Sequence, residues 1–278
     1  MYVLICIMNF GMNFGNWVNN IDKYKNEFMN GDPYKHCIID NFLDEKTFED
    51  IYNAYPDIKA SKWHIYNNPI EIKWALDDFK NLPIYQKLIT FLQSDETLKL
   101  FKSISNIENL ENDPHLHGAG IHCHPKGGKL DVHLDYSIHP ISGKERRLNL
   151  IIYLNKHWEE EWNGALELWK PYENRKDPKE CIKKIYPIYN RAVLFQTNNI
   201  SLHGLPEVIK CPENEFRKSF AIYYVSEPTI NAMTRYKAEY FSKPNEVISE
   251  NLKKLYEIRK ERRLSNSDIK LYLPDWKI

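Results

Sequence analysis

Arg147-Leu148-Asn149-Leu150-Ile151-Ile152-Tyr153-Leu154-Asn155 alternates with a period of two. Leu148, Leu150, Ile152 and Leu154 share one face, while Asn149, Ile151, Tyr153 and Asn155 share the other. Residues two apart in a strand point to the same side of a sheet, so the stretch reads as a strand with one apolar and one mixed face. The pattern recurs before and after it. In Val132–Asp135, Val132 and Leu134 oppose His133 and Asp135; in Arg217–Val225, Phe220, Ile222 and Tyr224 oppose Arg217, Ser219, Ala221 and Tyr223. An antiparallel sheet that packs such apolar faces against helices leaves the mixed faces to line an interior cleft. The expected class is mainly β with flanking helices. A double-stranded β-helix, or jelly roll, meets the requirement, with N-terminal supporting helices and a helical C-terminal extension.

The flanking elements have their own signals. Tyr34–Leu43 reads as a strand, and Asp44 is an N-cap for a helix over 45–54. An apolar stripe of Leu88, Phe91, Leu92 and Leu98 predicts a second helix from about 82 to 101. From 121 to 226 short strands are expected, broken at Gly127-Gly128, Pro140 to Gly143, Asn163-Gly164 and Pro212 to Asn214. After Pro228 the chain turns charged and helical, and 251–263 reads as a solvated helix. The chain thus divides into a loosely held lead-in at 1–33, a domain at 34–228 with its jelly-roll core at about 120–226, and a helical extension at 229–278.

The 278 residues carry no net charge and a pI near 7.1, so no global basic field points to nucleic acid or an anionic membrane. Five scattered cysteines, odd in number and without a C-x-x-C, read as free thiols in a reducing, cytoplasmic setting. The apolar start, Met1–Met8, lacks the basic region and cleavage site of a signal peptide. No apolar run approaches the ~20 residues that span a bilayer.

His133 and Asp135 aim at one point if their segment is extended, and His203, 68 residues on, suits a return strand in a closed β architecture. Two histidines and a carboxylate cap one face of an octahedral metal and leave three positions open, the arrangement of non-haem Fe(II) oxygenases. Arg217, shortly after the second histidine, then has a role in gripping the far carboxylate of a metal-bound diacid. His115, His117, His122 and His124 form a dense cluster upstream. The His122-x-His124 pair lacks the glutamate that a cupin metal site would place next, so a cleft-lining or structural role is expected for it. Trp158, Trp162 and Trp169 read as core or cleft wall.

On these residues the chain resembles the Fe(II)- and 2-oxoglutarate-dependent oxygenases, in their prolyl-hydroxylase-like branch. The segments that carry the resemblance are His122–Asp135, Leu148–Trp158, Asn163–Trp169, Asn190–Phe195, His203–Pro206 and Arg217–Tyr224, with Ile38–Leu43 similar to the family's opening strand. The resemblance covers roughly residues 35–227. It implies Fe(II) held by His133, Asp135 and His203, and 2-oxoglutarate and O2 as cosubstrates, with ascorbate as a reductant. Oxidative decarboxylation to succinate and CO2 would be coupled to hydroxylation of an unactivated C–H bond. Arg217 matches the basic residue for the distal carboxylate, with Tyr153 and Ser219 beside it and His124 as a further cosubstrate contact. Many prolyl hydroxylases have lysine at Arg217, so close kinship to the collagen-type enzymes is not implied; the family's Gly-Gly pair is Asn163-Gly164 here, where Gly164 can still serve the turn.

The implied substrate is a prolyl or other side chain of a protein or peptide. A free amino acid or saccharide-linked small molecule is the enzymatic alternative, and a non-catalytic jelly-roll binding module the alternative of another class. The loop at 136–147 follows Asp135 and carries Lys144, Arg146 and Arg147, which suggests a basic mouth and an acidic or carboxylate-bearing substrate. The plainer reading of that loop is a solvated hairpin tip.

Overall fold

Thirteen strands pair into one curled antiparallel sheet in the computed structural model, which describes residues 11–59, 62–174 and 176–277. Met1–Met8 and Cys6 lie outside the described residues. The first six strands are β1 (His36–Ile39), β2 (His64–Asn67), β3 (Glu71–Leu76), β4 (Glu111–Asn112), β5 (Gly120–His124) and β6 (Lys129–Leu134). Then come β7 (Glu145–Tyr153), β8 (Leu166–Pro171), β9 (Pro178–Ile185), β10 (Ala192–Gln196), β11 (Leu202–Leu205), β12 (Arg217–Ser226) and β13 (Glu239–Phe241). The main path runs β1-β10-β7-β12-β5-β3-β6-β11-β8-β9, and β2, β4 and β13 branch from it by pairing with β3, β12 and β6. Curling brings β6 and β11 opposite β7 and β12 across one cavity, which is the jelly roll expected from the alternating strands.

The apolar faces go where the alternation puts them. Leu148, Leu150 and Ile152 of β7 and Phe220, Ile222 and Tyr224 of β12 enter a single core. The helices α1 (Ile21–Met29), α2 (Glu45–Asn53), α3 (Pro83–Leu92) and α4 (Asp95–Ser105) close that core from outside with Phe28, Phe48, Leu88 and Phe101. Asp44 caps α2 by accepting from the Thr47 amide at 2.7 Å. The single helix expected over 82–101 is two. Ser94 accepts from the Thr97 amide at 3.2 Å and Asp95 and Glu96 follow it, so a new N-terminus begins there.

Two terminal segments are more deeply built in than their composition suggests. In the expected lead-in, Trp17, Tyr24 and Phe28 are buried, and the Trp17 indole donates to the Phe42 carbonyl at 2.7 Å while stacking on the Phe42 ring. Aromatic area outweighs the Asn-rich background there. At the other end, the charged helix α5 (Glu250–Glu261), followed by α6 (Asn266–Tyr272), is not solvated all round. Its Leu255 and Tyr256 pack with Ile70 and Tyr240, and its Arg259 pairs with Glu71 at 2.8 Å. Between them, β13 adds to the edge of β6, setting Tyr240 opposite His133. Cys37, Cys123, Cys181 and Cys211 are free thiols, and no helix among the described residues is long and apolar enough to cross a membrane.

Candidate active site

β6 and β11 pair in register at His133 and His203, so the two imidazoles leave adjacent strands side by side. Asp135 follows one residue past β6, on the same side as His133 by strand alternation. The ligand atoms of the three all lie within 4.8 Å of one another, with each histidine Nε2 3.8 Å from a carboxylate oxygen of Asp135. Each histidine is fixed from behind in the same way. The Nδ1 of His133 lies 2.9 Å from the Asp131 carbonyl, and that of His203 lies 2.9 Å from the Ser201 carbonyl. A carbonyl can only accept, so Nδ1 carries the proton and Nε2 presents its lone pair to the centre. Tyr240 stacks on His133 at 4.9 Å, and Phe195 packs edge-on to His203. Burial, together with the neighbouring His203, pushes His133 down to about 3, which keeps the ring neutral.

Asp135 is held by a partner of its own. An Arg146 guanidinium nitrogen lies 3.2 Å from Oδ2, and the Arg146 guanidinium is clamped between the Tyr136 and Tyr223 rings at 3.5 and 3.4 Å. Burial alone would raise the carboxyl of Asp135. The adjacent Arg146 guanidinium outweighs it and holds the group well below the usual carboxylate range. Arg235 donates to the Asp135 carbonyl at 2.6 Å and fixes the backbone. Two imidazole Nε2 atoms and an ionised carboxylate, all aimed inward, are a donor set that fits Fe(II).

The other end of the cavity holds Arg217. Its register partner on β5 is His124, and Ser219 stands opposite His122. Arg217 is 2% exposed, donates from Nε to the Gly164 carbonyl at 2.6 Å, and meets no carboxylate among the described residues. Burial lowers its pKa, as expected of a guanidinium with no anion to compensate it. Both ring nitrogens of His124 and the Oη of Tyr153 are buried without a hydrogen bond. Tyr153 is fully buried against Leu166, Val193 and Phe195, with its ring 5.0 Å from the Arg217 guanidinium. Gly164, at φ +75°, makes the close approach possible, since a Cβ there would sit 3.3 Å from Cδ of Arg217. Unsatisfied donors of this kind beside a buried cation fit an anionic, carboxylate-bearing cosubstrate.

The structure brings His133, Asp135, His203, Arg217, Ser219 and His124 together on one cavity of about 240 Å³. Tyr153 stands opposite Ser219 across β7 and β12 with its ring against the Arg217 guanidinium, buried beneath the cavity lining. The expected basic mouth at 136–147 is not there. Arg146 is 2% exposed and committed to Asp135, Lys144 pairs with Glu111, and Arg147 donates to Ser226. Arg146, Tyr240 and the Tyr136–Tyr223 clamp were not read from sequence. Strand parity had set Tyr223 on the cleft face, but Arg146 was hidden because a bulge near Arg147 shifts the phase of β7.

The model of the 2OG-Fe(II) oxygenase superfamily matches residues 119–225. The mouse prolyl 3-hydroxylase OGFOD1 is 24% identical over 181 residues, covering 64% of this chain and 30% of that protein. The chain therefore spans about a third of the length of this curated relative. A prolyl hydroxylase from Trichoplax adhaerens, solved with a hypoxia inducible factor peptide fragment, superposes with a TM-score of 0.54 at 18% identity, over 76% of this chain and 94% of that one. A Pseudomonas putida prolyl-4-hydroxylase gives 0.52 at 14% identity, over 76% and 99%. Likeness at these identities is likeness of fold.

Proposed function

We propose, from the premise that residues 119–225 form a domain of the 2OG-Fe(II) oxygenase superfamily, that this chain is a 2-oxoglutarate-dependent hydroxylase acting on a prolyl or other side chain of a protein or peptide. In this reading His133, Asp135 and His203 hold Fe(II). Arg217 receives the distal carboxylate of 2-oxoglutarate. Bound together, iron, 2-oxoglutarate and O2 supply the oxidising power to hydroxylate a C–H bond, with release of succinate and CO2.

What remains is the work of the chain's own side chains. The carbonyls of Asp131 and Ser201 orient the two imidazoles, and Arg146 orients the carboxylate of Asp135. Ser219, Tyr153 and His124 surround the Arg217 end and offer neutral polar contacts there. Leu166, Leu205 and Ile151 line the cavity between the two ends and exclude water from it. The observation that carries the reading is the buried, carboxylate-free Arg217 on the same cavity as three inward-facing metal donors. The prolyl class rests on the printed names of the similar proteins, and fold analogy alone does not fix a substrate.

The test is Mn(II)-dependent binding of 2-oxoglutarate under anaerobic conditions, followed by oxygen-dependent formation of succinate with Fe(II) and proline-containing peptides. Wild type should bind one metal per chain, and His133→Ala should bind none. Stoichiometric, tight metal binding by His133→Ala/His203→Ala would sink the metal assignment. A +16 Da product on a free amino acid or sugar, with none on peptides, would move the substrate to the small-molecule class.

A further inference from the structure

Once each charge at the cavity is matched with its partner, cations are left over at the mouth. Asp135 is the one carboxylate on the lining among the described residues, and Arg146 takes it. Arg217 is reserved by the reading above for 2-oxoglutarate. That leaves Lys73, Arg259, Arg263 and Lys237, all on the lining. Glu71, fully buried just behind, serves two of them. It lies 3.2 Å from Lys73 and 2.8 Å from Arg259, so one negative charge meets two positive ones. Arg263 and Lys237 are exposed and pair with no carboxylate among the described residues. Four cations against one anion leave the mouth three charges positive.

The cluster is built rather than scattered. Tyr66 stands at its centre, with the Lys73 ammonium 5.0 Å and the Arg263 guanidinium 5.2 Å from its ring. Lys73 comes from β3, Arg263 from the segment just after α5, and Lys237 from the segment leading into β13. Three stretches of chain far apart in sequence thus converge on one opening. The residues that bring the last two there are the anchors of the C-terminal segment, Tyr240 on His133 and Tyr256 on Asp131 at 2.5 Å. Like charges gathered on one rim repel one another, and a low-dielectric cleft beneath them focuses their field outward.

We propose that this rim is the subsite for a carboxylate of the primary substrate, held by Lys73, Arg263 and Lys237. The substrate is therefore acidic next to the position that is hydroxylated. The inference rests on the oxygenase reading for what happens beyond the rim, but the charge recognition itself does not need turnover. An acidic peptide and a small carboxylate share this chemistry, and the experiment separates them.

The probes are three fluorescein-labelled nonapeptides with a central proline flanked by glutamate, glutamine or lysine, and unlabelled N-acetylglutamate as the small carboxylate. Binding is read by anisotropy and by competition at low salt, with Mn(II) and 2-oxoglutarate saturating so that Arg217 is already occupied. The glutamate peptide should bind about 10–100-fold more tightly than the glutamine peptide, with most of that preference lost in 0.5 M salt. Lys237→Glu/Arg263→Glu, two exposed changes, should abolish the preference. If N-acetylglutamate competes as strongly as the peptide, the carboxylate comes from a small molecule; if it competes only weakly, it comes from a peptide. Equal binding of the three peptides, a preference for lysine, an unchanged preference in the double variant, or no saturation by any probe each overturns the proposal. Affinity for 2-oxoglutarate is measured in parallel. Its absence from wild type would refute the oxygenase reading while the charge comparison stood on its own result.

Discussion

Arg217→Met should make the protein weaker in binding and no less stable. The guanidinium is 2% exposed and has no carboxylate beside it among the described residues. Burying an ion without a partner costs several kcal/mol after relaxation. Against that stand one charge-assisted bond to the Gly164 carbonyl, 2.6 Å long, and the nearby Tyr153 ring. Losing the bond orphans a carbonyl at a cost of about 1–3 kcal/mol, and losing the ring contact costs about 1 kcal/mol. The terms nearly cancel or favour methionine, by roughly 0–2 kcal/mol. The ligand reverses the balance. At 100 times its Kd, 2-oxoglutarate stabilises wild type by about 2.7 kcal/mol. For a chain of 278 residues that raises the melting temperature by about 5 °C. If methionine weakens binding by about 100-fold, within the 10–1000-fold expected for a lost charge-assisted pair, the same concentration gives only about 0.4 kcal/mol and a shift below about 1 °C. The assay is thermal unfolding with Mn(II), with and without 2-oxoglutarate, on both proteins. A full ligand-induced shift in Arg217→Met would refute the anchor. A ligand-free variant melting more than about 5 °C below wild type would show that the guanidinium is a structural group and that the charge arithmetic is wrong.

Asp135→Asn removes the counter-ion of a second buried guanidinium, Arg146, so the ligand-free variant should lose about 3 kcal/mol in urea unfolding, and Asp135→Asn/Arg146→Met should recover part of it. Full stability of the single variant would mean that the Tyr136–Tyr223 clamp satisfies Arg146 without an anion. Gly164→Ala places a Cβ at φ +75° and 3.1–3.3 Å from Trp158, Ile209 and Arg217, so it should lower stability by about 1–3 kcal/mol and weaken 2-oxoglutarate, readable by calorimetry. Glu71 gives a pH prediction. Burial raises its carboxyl, but Lys73 and Arg259 outweigh burial and bring it down to about 2. Its folded value lies below the ordinary 4.5, so its contribution to stability is complete above about pH 4.5 and drains away as pH falls towards 2. Glu71→Gln should flatten acid unfolding in that window, and an unchanged profile would remove Glu71 from the account.

The strand faces were legible because alternation has one period and the cavity needs only one face. Asn149, Ile151, Ser219, Ala221 and Tyr223 line the cavity as their parity requires. The triad was legible because two of its members stand two apart and the third pairs with the first across a ladder. Arg146 was not, and the reason is physical. The pairing of β7 with β12 slips between Leu148 and Arg146, so one extra residue reverses the phase and turns Arg146 inward where Arg147 was due. Its charge in sequence then looked like a solvated tip. Tyr240 was missed for a different reason. It reaches His133 through β13, a three-residue strand whose place depends on the docking of α5, and no local pattern records a docking partner. The single long helix over 82–101 failed because its apolar stripe continues across the Ser94 cap, which the stripe does not sense.

The buried polar groups of this protein differ in how fully they are paired, and the densest unpaired set lies at the Arg217 end of the cavity. Those that hold the architecture are satisfied: Glu71 with Arg259, Asp131 with Tyr256, Asp135 with Arg146 and Arg235. Among those left without a hydrogen bond, both nitrogens of His124 and the hydroxyl of Tyr153 lie together at the Arg217 end of the cavity, whereas Asn112, His139, Thr197 and Trp276 contribute single atoms elsewhere. Folding gains nothing from that second set, because each unsatisfied buried group costs free energy that an apolar residue of similar size would not. A sequence that keeps them together, on β5 and β7 to either side of Arg217, fits the proposed reading in which a bound cosubstrate completes their contacts. The same reasoning separates the two basic regions. Arg217 is buried without an anion and suits one small enough to be enclosed, whereas Arg263 and Lys237 are exposed at the rim, where the proposed substrate carboxylate would reach them while attached to something outside. In the proposed reading a cosubstrate takes the first and the primary substrate the second. Occupying the inner site should therefore leave the rim's preference for carboxylate intact, and a rim that loses its preference once 2-oxoglutarate is bound would mean that one anion serves both.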